Sequence, residues 1–197
     1  MLMRKLQIGF GLALGFLICA IPVAAQSNGD IPKLEVSVDY TYLRARTVVA
    51  TGCCFNMNGG DLSVAYNATK WVGLVGDFGA YYAGNVQNTG FTLSIFPYTF
   101  GPRFTVRKNK TFTPYAQALF GGGHAGGTLY TRNFVPPGSK NAFALIVGGG
   151  VDANINSHFA IRLAEVDYMF TNFPDGSANH EDHFRLTTGV VFRFGSH

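Results

Sequence analysis

Charge is scarce in this sequence. Asp, Glu, Lys and Arg make up 13% of its 197 residues, about half of the ~25% usual in soluble domains. It has no run of Lys and Arg and no basic patch interleaved with aromatics, which argues against nucleic acid as a partner. No helical period of useful length occurs after residue 33. Mean hydropathy is only +0.15, too low for a bundle of membrane helices. Cysteine is nearly absent, with three in the whole chain. Glycine, at 25 residues, and aromatic side chains, at 14%, are plentiful. Little charge with much glycine and many rings suits strands that face something other than water.

The first 25 residues read as a secretory signal peptide. Arg4 and Lys5 form a positive start, and Leu6 to Ile21 is an apolar stretch of 16 residues. Pro22-Val23-Ala24-Ala25 then supplies a small-residue cleavage site. Cleavage is expected after Ala25, leaving 26–197 as one domain. An uncleaved membrane anchor would need about 20 apolar residues. Cys19 follows Ile18 rather than a small residue, which sets aside a lipoprotein. Export places Cys53 and Cys54 in an oxidising compartment. Adjacent cysteines lack metal-site spacing. A vicinal disulfide, a bridge between chains and two thiols without a role all stay open.

The remaining chain alternates, punctuated by Gly, Asn, Pro and Asp. Eight strands are expected, at about 34–46, 60–68, 71–83, 91–106, 112–125, 141–153, 158–170 and 183–194. Most reach the ~9–11 residues that a tilted strand needs to cross a bilayer. The connections alternate too. Tight polar turns fall at 67–70, 107–111 and 154–157, and longer loops at 47–59, 84–90, 126–140 and 171–182. Short turns on one rim and long loops on the other mark an outer-membrane barrel, with the short rim in the periplasm.

The two faces differ in kind. On the last strand Phe184, Leu186, Thr188, Val190, Phe192 and Phe194 alternate with His183, Arg185, Thr187, Gly189, Val191 and Arg193. Leu62, Val64 and Tyr66 oppose Ser63, Ala65 and Asn67, and Phe143, Leu145, Val147 and Val151 oppose Ala144, Gly148, Gly150 and Asp152. A face of Gly, Ala and Ser with scattered charges cannot form an oily core, so the large apolar face is expected to meet lipid. Sheet edges in lipid leave amides unpaired, which forces closure. The expected fold is therefore all-β, a closed eight-stranded antiparallel up-and-down transmembrane barrel. Glu35, Asp39, Asp77, Arg103, Asp152, Arg162, Glu165, Asp167, Arg185 and Arg193 are placed inside. Isolated buried ions are costly, so these are expected to pair into a network. Eight strands enclose just enough width for side chains to fill. Rim water is the alternative surrounding for Glu35 and Arg193. Strand 4 changes parity at Pro97, and strand 7 between Arg162 and the pair Glu165 and Asp167, so a β-bulge is expected in each. Strand 5, from Phe112 through Gln117 to Gly123, leaves its facing open. Aromatics near strand ends, among them Tyr40, Tyr42, Trp71, Tyr81, Tyr82, Phe96 and Tyr98, suggest interfacial girdles.

These residues resemble the small outer-membrane β-barrel family, typified by the transmembrane domain of outer membrane protein A. The resemblance rests on the signal peptide, the eight amphipathic strands and the ending Val190-Val191-Phe192-Arg193-Phe194. Phe159-Ala160-Ile161-Arg162-Leu163 through Asp167-Tyr168 is similar to the family's penultimate strand, and Gly101-Pro102-Arg103-Phe104 to its fourth. The resemblance implies an outer-membrane location in a Gram-negative bacterium and lipid and lipopolysaccharide as surroundings. It also implies a final strand read by the barrel-assembly machinery. Here Gly195-Ser196-His197 follow Phe194, so that signal stands three residues in from the end.

Chemistry has few footholds. A lipid A deacylase resembles a His-x-Ser arrangement on a lipid-facing strand, and no strand carries one. Ser157-His158 stands at a turn and Ser196-His197 at the terminus. His180, Glu181, Asp182 and His183 offer metal-ligand types, but a polar loop explains them equally. Gly121-Gly122-Gly123 and Gly148-Gly149-Gly150 lack the helix and Lys of a phosphate loop. No catalytic, cofactor or metal residue is therefore assigned. The expected role is structural or surface-interacting, by a monomer, with Phe55, Met57, Phe134 and Pro136-Pro137 as loop residues available to a partner. A small-solute channel is the alternative, and a soluble lipocalin-like carrier, needing an apolar interior, stands further off.

Overall fold

The computed structural model describes residues 31–46, 54–88, 90–128, 141–173 and 181–196. The expected signal peptide, Cys53, Phe134, Pro136-Pro137 and His180 lie outside these residues. Eight strands follow in order: β1 (Leu34–Arg46), β2 (Cys54–Asn67), β3 (Val72–Ala83), β4 (Leu93–Thr105), β5 (Phe112–Gly126), β6 (Asn141–Asn154), β7 (Phe159–Thr171) and β8 (Glu181–Phe194). Each pairs antiparallel with its neighbour, and β8 pairs back onto β1 to close the barrel. Both ends of the described chain lie on the rim of the short turns, where Lys33 N donates to Gly195 O at 3.3 Å.

The period-two pattern sets the two faces. Phe78, Phe100, Phe104 and Leu74 stand on the outside, each more than half exposed. Phe184 and Leu186 join them, while Arg185 is wholly enclosed. On β5 the facing is now assigned. Thr113, Tyr115, Gln117 and Leu119 point inward, and Phe112, Pro114, Ala116 and Phe120 point out.

Only one of the two expected bulges exists. Register slips by one residue between Arg162 and Glu165, seen by both β6 and β8, so Leu163 and Ala164 both face outward. That extra residue lets Arg162 and Glu165 share the interior although their parity differs. In β4 the ladder runs without a shift on either side. The parity change at Pro97 has another cause. Leu93 and Ile95 point inward into an apolar cluster, while Phe96, Tyr98 and Phe100 point outward to lipid.

β2 also begins earlier than its composition suggests. Asn56, Asn58 and Gly59 read as loop, yet Phe55 and Met57 pair opposite Ala45 and Leu43 and are buried inside the barrel. They are not loop residues open to a partner. Cys54 starts this strand and is disulfide-bonded. Of the expected aromatic girdle, Tyr81 is instead enclosed.

A charge placed on the outer wall must sit in hydrocarbon. Val147→Arg, at mid-height on β6, is expected to cost about 2–4 kcal/mol of folding stability in vesicles. Equilibrium urea titration measures it, and an unchanged midpoint would contradict a lipid-facing Val147.

Candidate functional site: an enclosed ion network under an apolar plug

The interior is built in layers, legible along β1. Glu35, Ser37, Asp39 and Thr41 come first from the short-turn rim, then Leu43 and Ala45. At the bottom, Glu35 Oε1 lies 3.2 Å from Arg193 Nε and 3.3 Å from Arg107 Nη2. The Arg193 contact is a charge contact rather than an aligned hydrogen bond. Arg193 Nη1 donates instead to Asn154 Oδ1 at 2.7 Å. Arg107, in the β4–β5 turn, also donates to the Lys70 carbonyl at 3.0 Å. Its partial burial draws the guanidinium below the usual arginine range, against the pull of Glu35.

Two guanidiniums organise the middle layer. Arg162 reaches Asp39 at 2.9 Å, Glu165 at 3.2 Å and Asp152 at 3.3 Å. Arg185 reaches Asp167 at 2.8 Å, Glu165 at 2.9 Å, Asp77 at 3.0 Å and Asp61 at 3.4 Å. Glu165 thus joins both hubs. Arg103 enters from β4, donating twice to Gln117 Oε1 at 3.0 and 2.8 Å. Its guanidinium lies 4.3 Å above the Tyr115 ring. Gln117 donates to Glu165 at 3.2 Å, and the Tyr115 hydroxyl donates to the same carboxylate. Tyr81 donates to Asp61 at 2.6 Å, and Thr41 donates to its other oxygen.

All ten charged residues placed inside from the sequence are buried, Glu35 and Arg193 included. Nine of them share ion pairs, and Arg103 joins through Gln117 and Tyr115. Asp61 was missed, although it shares the parity of Ser63, because the strand was taken to begin at its doorstep. Arg107 was missed because it works from a turn.

Above this layer the lining turns greasy. Leu43, Met57, Leu119, Ile146 and Met169 have no exposed surface, and Ile95 has 2%. Val86 folds in from the β3–β4 connection, held by its amide to Phe91 O at 2.9 Å. At the same height the outer wall of β1 and β2 becomes polar. Tyr40 donates to Asn58, and Tyr42 and Arg44 both donate to Asn56. The expectation of an interior without an oily core therefore holds for the lower half only. On β1 and β2 the two sides thus exchange character, while Phe96, Phe143 and Phe184 keep the outer wall of β4, β6 and β8 apolar at that level.

The acidic and histidine cluster near residue 181 is divided by the same alternation. Asp182 faces out and accepts from Tyr168, while Glu181 and His183 face in, toward Thr171 at 3.1 and 2.9 Å. Among the described residues no group of three His, Cys, Asp or Glu is placed to hold a metal.

Glycines opposite the charges make the network possible. Asp39 pairs across from Gly189, and Asp167 from Gly148. A Cβ on Gly189 would stand 2.3 Å from Asp39 Oδ1, and one on Gly148 2.2 Å from Asp167 Oδ1, each also against backbone oxygen.

Residues 11–194 match the family described as outer membrane protein beta-barrel domain. The chain belongs to that family. No curated protein matches the sequence. Among solved structures this outer-membrane barrel is similar to neisserial surface protein A, with a TM-score of 0.65 and 16% identity over 85% of this chain and 100% of that one. It is similar to Ail, the attachment invasion locus protein of Yersinia pestis, with a TM-score of 0.56 and 19% identity over 83% and 100% of the two chains. OprG of Pseudomonas aeruginosa follows with a TM-score of 0.57 and 11% identity over 85% and 98%. At these identities the likeness is one of fold.

Removing a hub leaves carboxylates facing one another in a closed space. Arg185→Ala is expected to cost about 3–5 kcal/mol, and Arg185→Lys to recover only part, because an ammonium cannot fork to several carboxylates. Gly148→Ala is expected to destabilise in the same direction. Urea midpoints in vesicles measure all three, and a wild-type midpoint for Arg185→Ala would contradict the hub.

Proposed function

We propose that this protein is a sealed outer-membrane barrel whose role is structural or carried by its outer surfaces, not a pore and not an enzyme. The observation that carries this reading is the double stopper: an ion-paired layer below and an apolar layer above, with the side chains at both levels enclosed. A solute would have to break buried ion pairs and then cross a dry, greasy plug. Lipid A chemistry lacks a foothold as well. The Ser157–His158 pair, 3.0 Å apart, sits in a tight turn on the short-turn rim.

The surroundings follow from the walls. The lower outer face of Leu, Val and Phe suits acyl chains. The belt of Tyr40, Tyr42, Arg44, Asn56 and Asn58 above it suits the phosphates and sugars of lipopolysaccharide. β8 would be the strand presented to the assembly machinery, and the closed ring leaves no sheet edge to pair with a second copy. Attachment, which the name of Ail states for that protein, is the kind of surface role the reading allows.

Planar-bilayer recording tests it. The reconstituted protein is expected to leave the membrane at baseline conductance across the voltage range. Steady, reproducible open-channel currents would overturn the sealed-barrel reading and favour a small-solute channel.

A further inference from the structure

The short-turn rim carries a charge pattern that the enclosed network does not explain. Beyond the expected signal peptide the chain has five lysines, and four of them, Lys33, Lys70, Lys108 and Lys110, stand exposed on this rim. No Asp or Glu occurs in 32–34, 68–71, 106–111 or 155–158. Glu35, the first carboxylate of β1, is buried and already held by Arg193 and Arg107. Among the described residues none of the four lysines has an ion pair.

These lysines lie on one arc. Asn67 N donates to Lys33 O at 2.9 Å, tying the start of β1 to the β2–β3 turn. Arg107 donates to Lys70 O at 3.0 Å, and Thr105 N donates to Trp71 O at 2.8 Å, tying that turn to the next. The next turn round the rim, 155–158, carries no lysine.

Apolar side chains interleave with the cations in the same turns. Trp71 is 43% exposed, Val106 41% and Phe112 43%. Lys70 Nζ lies 5.6 Å from the Trp71 ring. A ring at this height needs the acyl boundary, so its neighbouring ammonium stands at headgroup level. We propose that this arc binds the anionic phosphodiester headgroups of phospholipid in the periplasmic leaflet, selecting them over zwitterionic lipid. A cell-wall polymer would be met by cations alone, projecting past the rings.

The test uses the full barrel reconstituted in vesicles of phosphatidylcholine with a minor share of phosphatidylglycerol. Extraction in mild non-ionic detergent and native mass spectrometry then count the retained lipids. At low salt the expected enrichment of the anionic lipid is about fivefold or more. It should vanish in a variant with all four lysines changed to Gln and survive in Arg46→Gln, on the opposite rim. Because screening weakens exposed charges, raised salt should abolish it in the unaltered protein, which keeps the test decisive if the variant folds poorly. Equal retention of both lipids overturns the proposal, as does a preference that follows Arg46. Cosedimentation with peptidoglycan sacculi that depends on the four lysines, without lipid preference, would also overturn it. A conducting barrel with intact lipid selection would instead count only against the sealed-lumen reading.

Discussion

In hydrocarbon every backbone amide must find its partner inside the protein, and that requirement governs the rest of this structure. A ring of eight antiparallel strands meets it with no free edge. Closure fixes a narrow bore, and the pleat sends alternate side chains into it. Because the outer face is given over to lipid, everything polar in the spanning part of each strand must be satisfied within the bore. The ion network is thus a consequence of the wall. On β1 it ends at Thr41, where the outer face of that strand and of β2 becomes polar.

Within the bore, arginine does what lysine could not. The planar fork lets Arg185 meet four carboxylates and Arg162 three. Burial of so many ions carries a large desolvation cost, and replacing a whole network by apolar residues is often neutral or stabilising elsewhere. The return here is in register. All eight strands supply a charge or an amide to the middle layer, so a slip in one pairing would strand an ion. The paired glycines belong to the same design: Gly148 and Gly189 open the room that Asp167 and Asp39 occupy.

Much of this was legible from alternation alone. The strand count, the closed topology, the outward Phe184 and Leu186 and the inward Arg185 follow from a two-residue period and the alternation of short and long connections. The bulge in β7 was legible because two buried charges of opposite parity required it. The β4 bulge was an error of the same rule. An apolar residue was assumed to face lipid at every position, whereas Leu93 and Ile95 belong to the apolar cluster inside the barrel. The same assumption hid Phe55 and Met57, whose neighbours Asn56 and Asn58 are polar because they face outward above the bilayer. One apolar residue type therefore carries two meanings, lipid-facing wall and internal plug.

The reversal of inside and outside along β1 is the central claim, and spin labels on that strand test it most directly. In a background without native cysteines, single labels on β1 from residue 36 to 46 would be probed for collision with oxygen and with a water-soluble nickel chelate. The account predicts oxygen contact at 36, 38 and 40, nickel contact rising at 44 and 46, and protection from both at 37, 41, 43 and 45. Nickel access at 43 and 45 equal to that at 44 and 46, or a wall that stays oxygen-rich to the end of the strand, would contradict it.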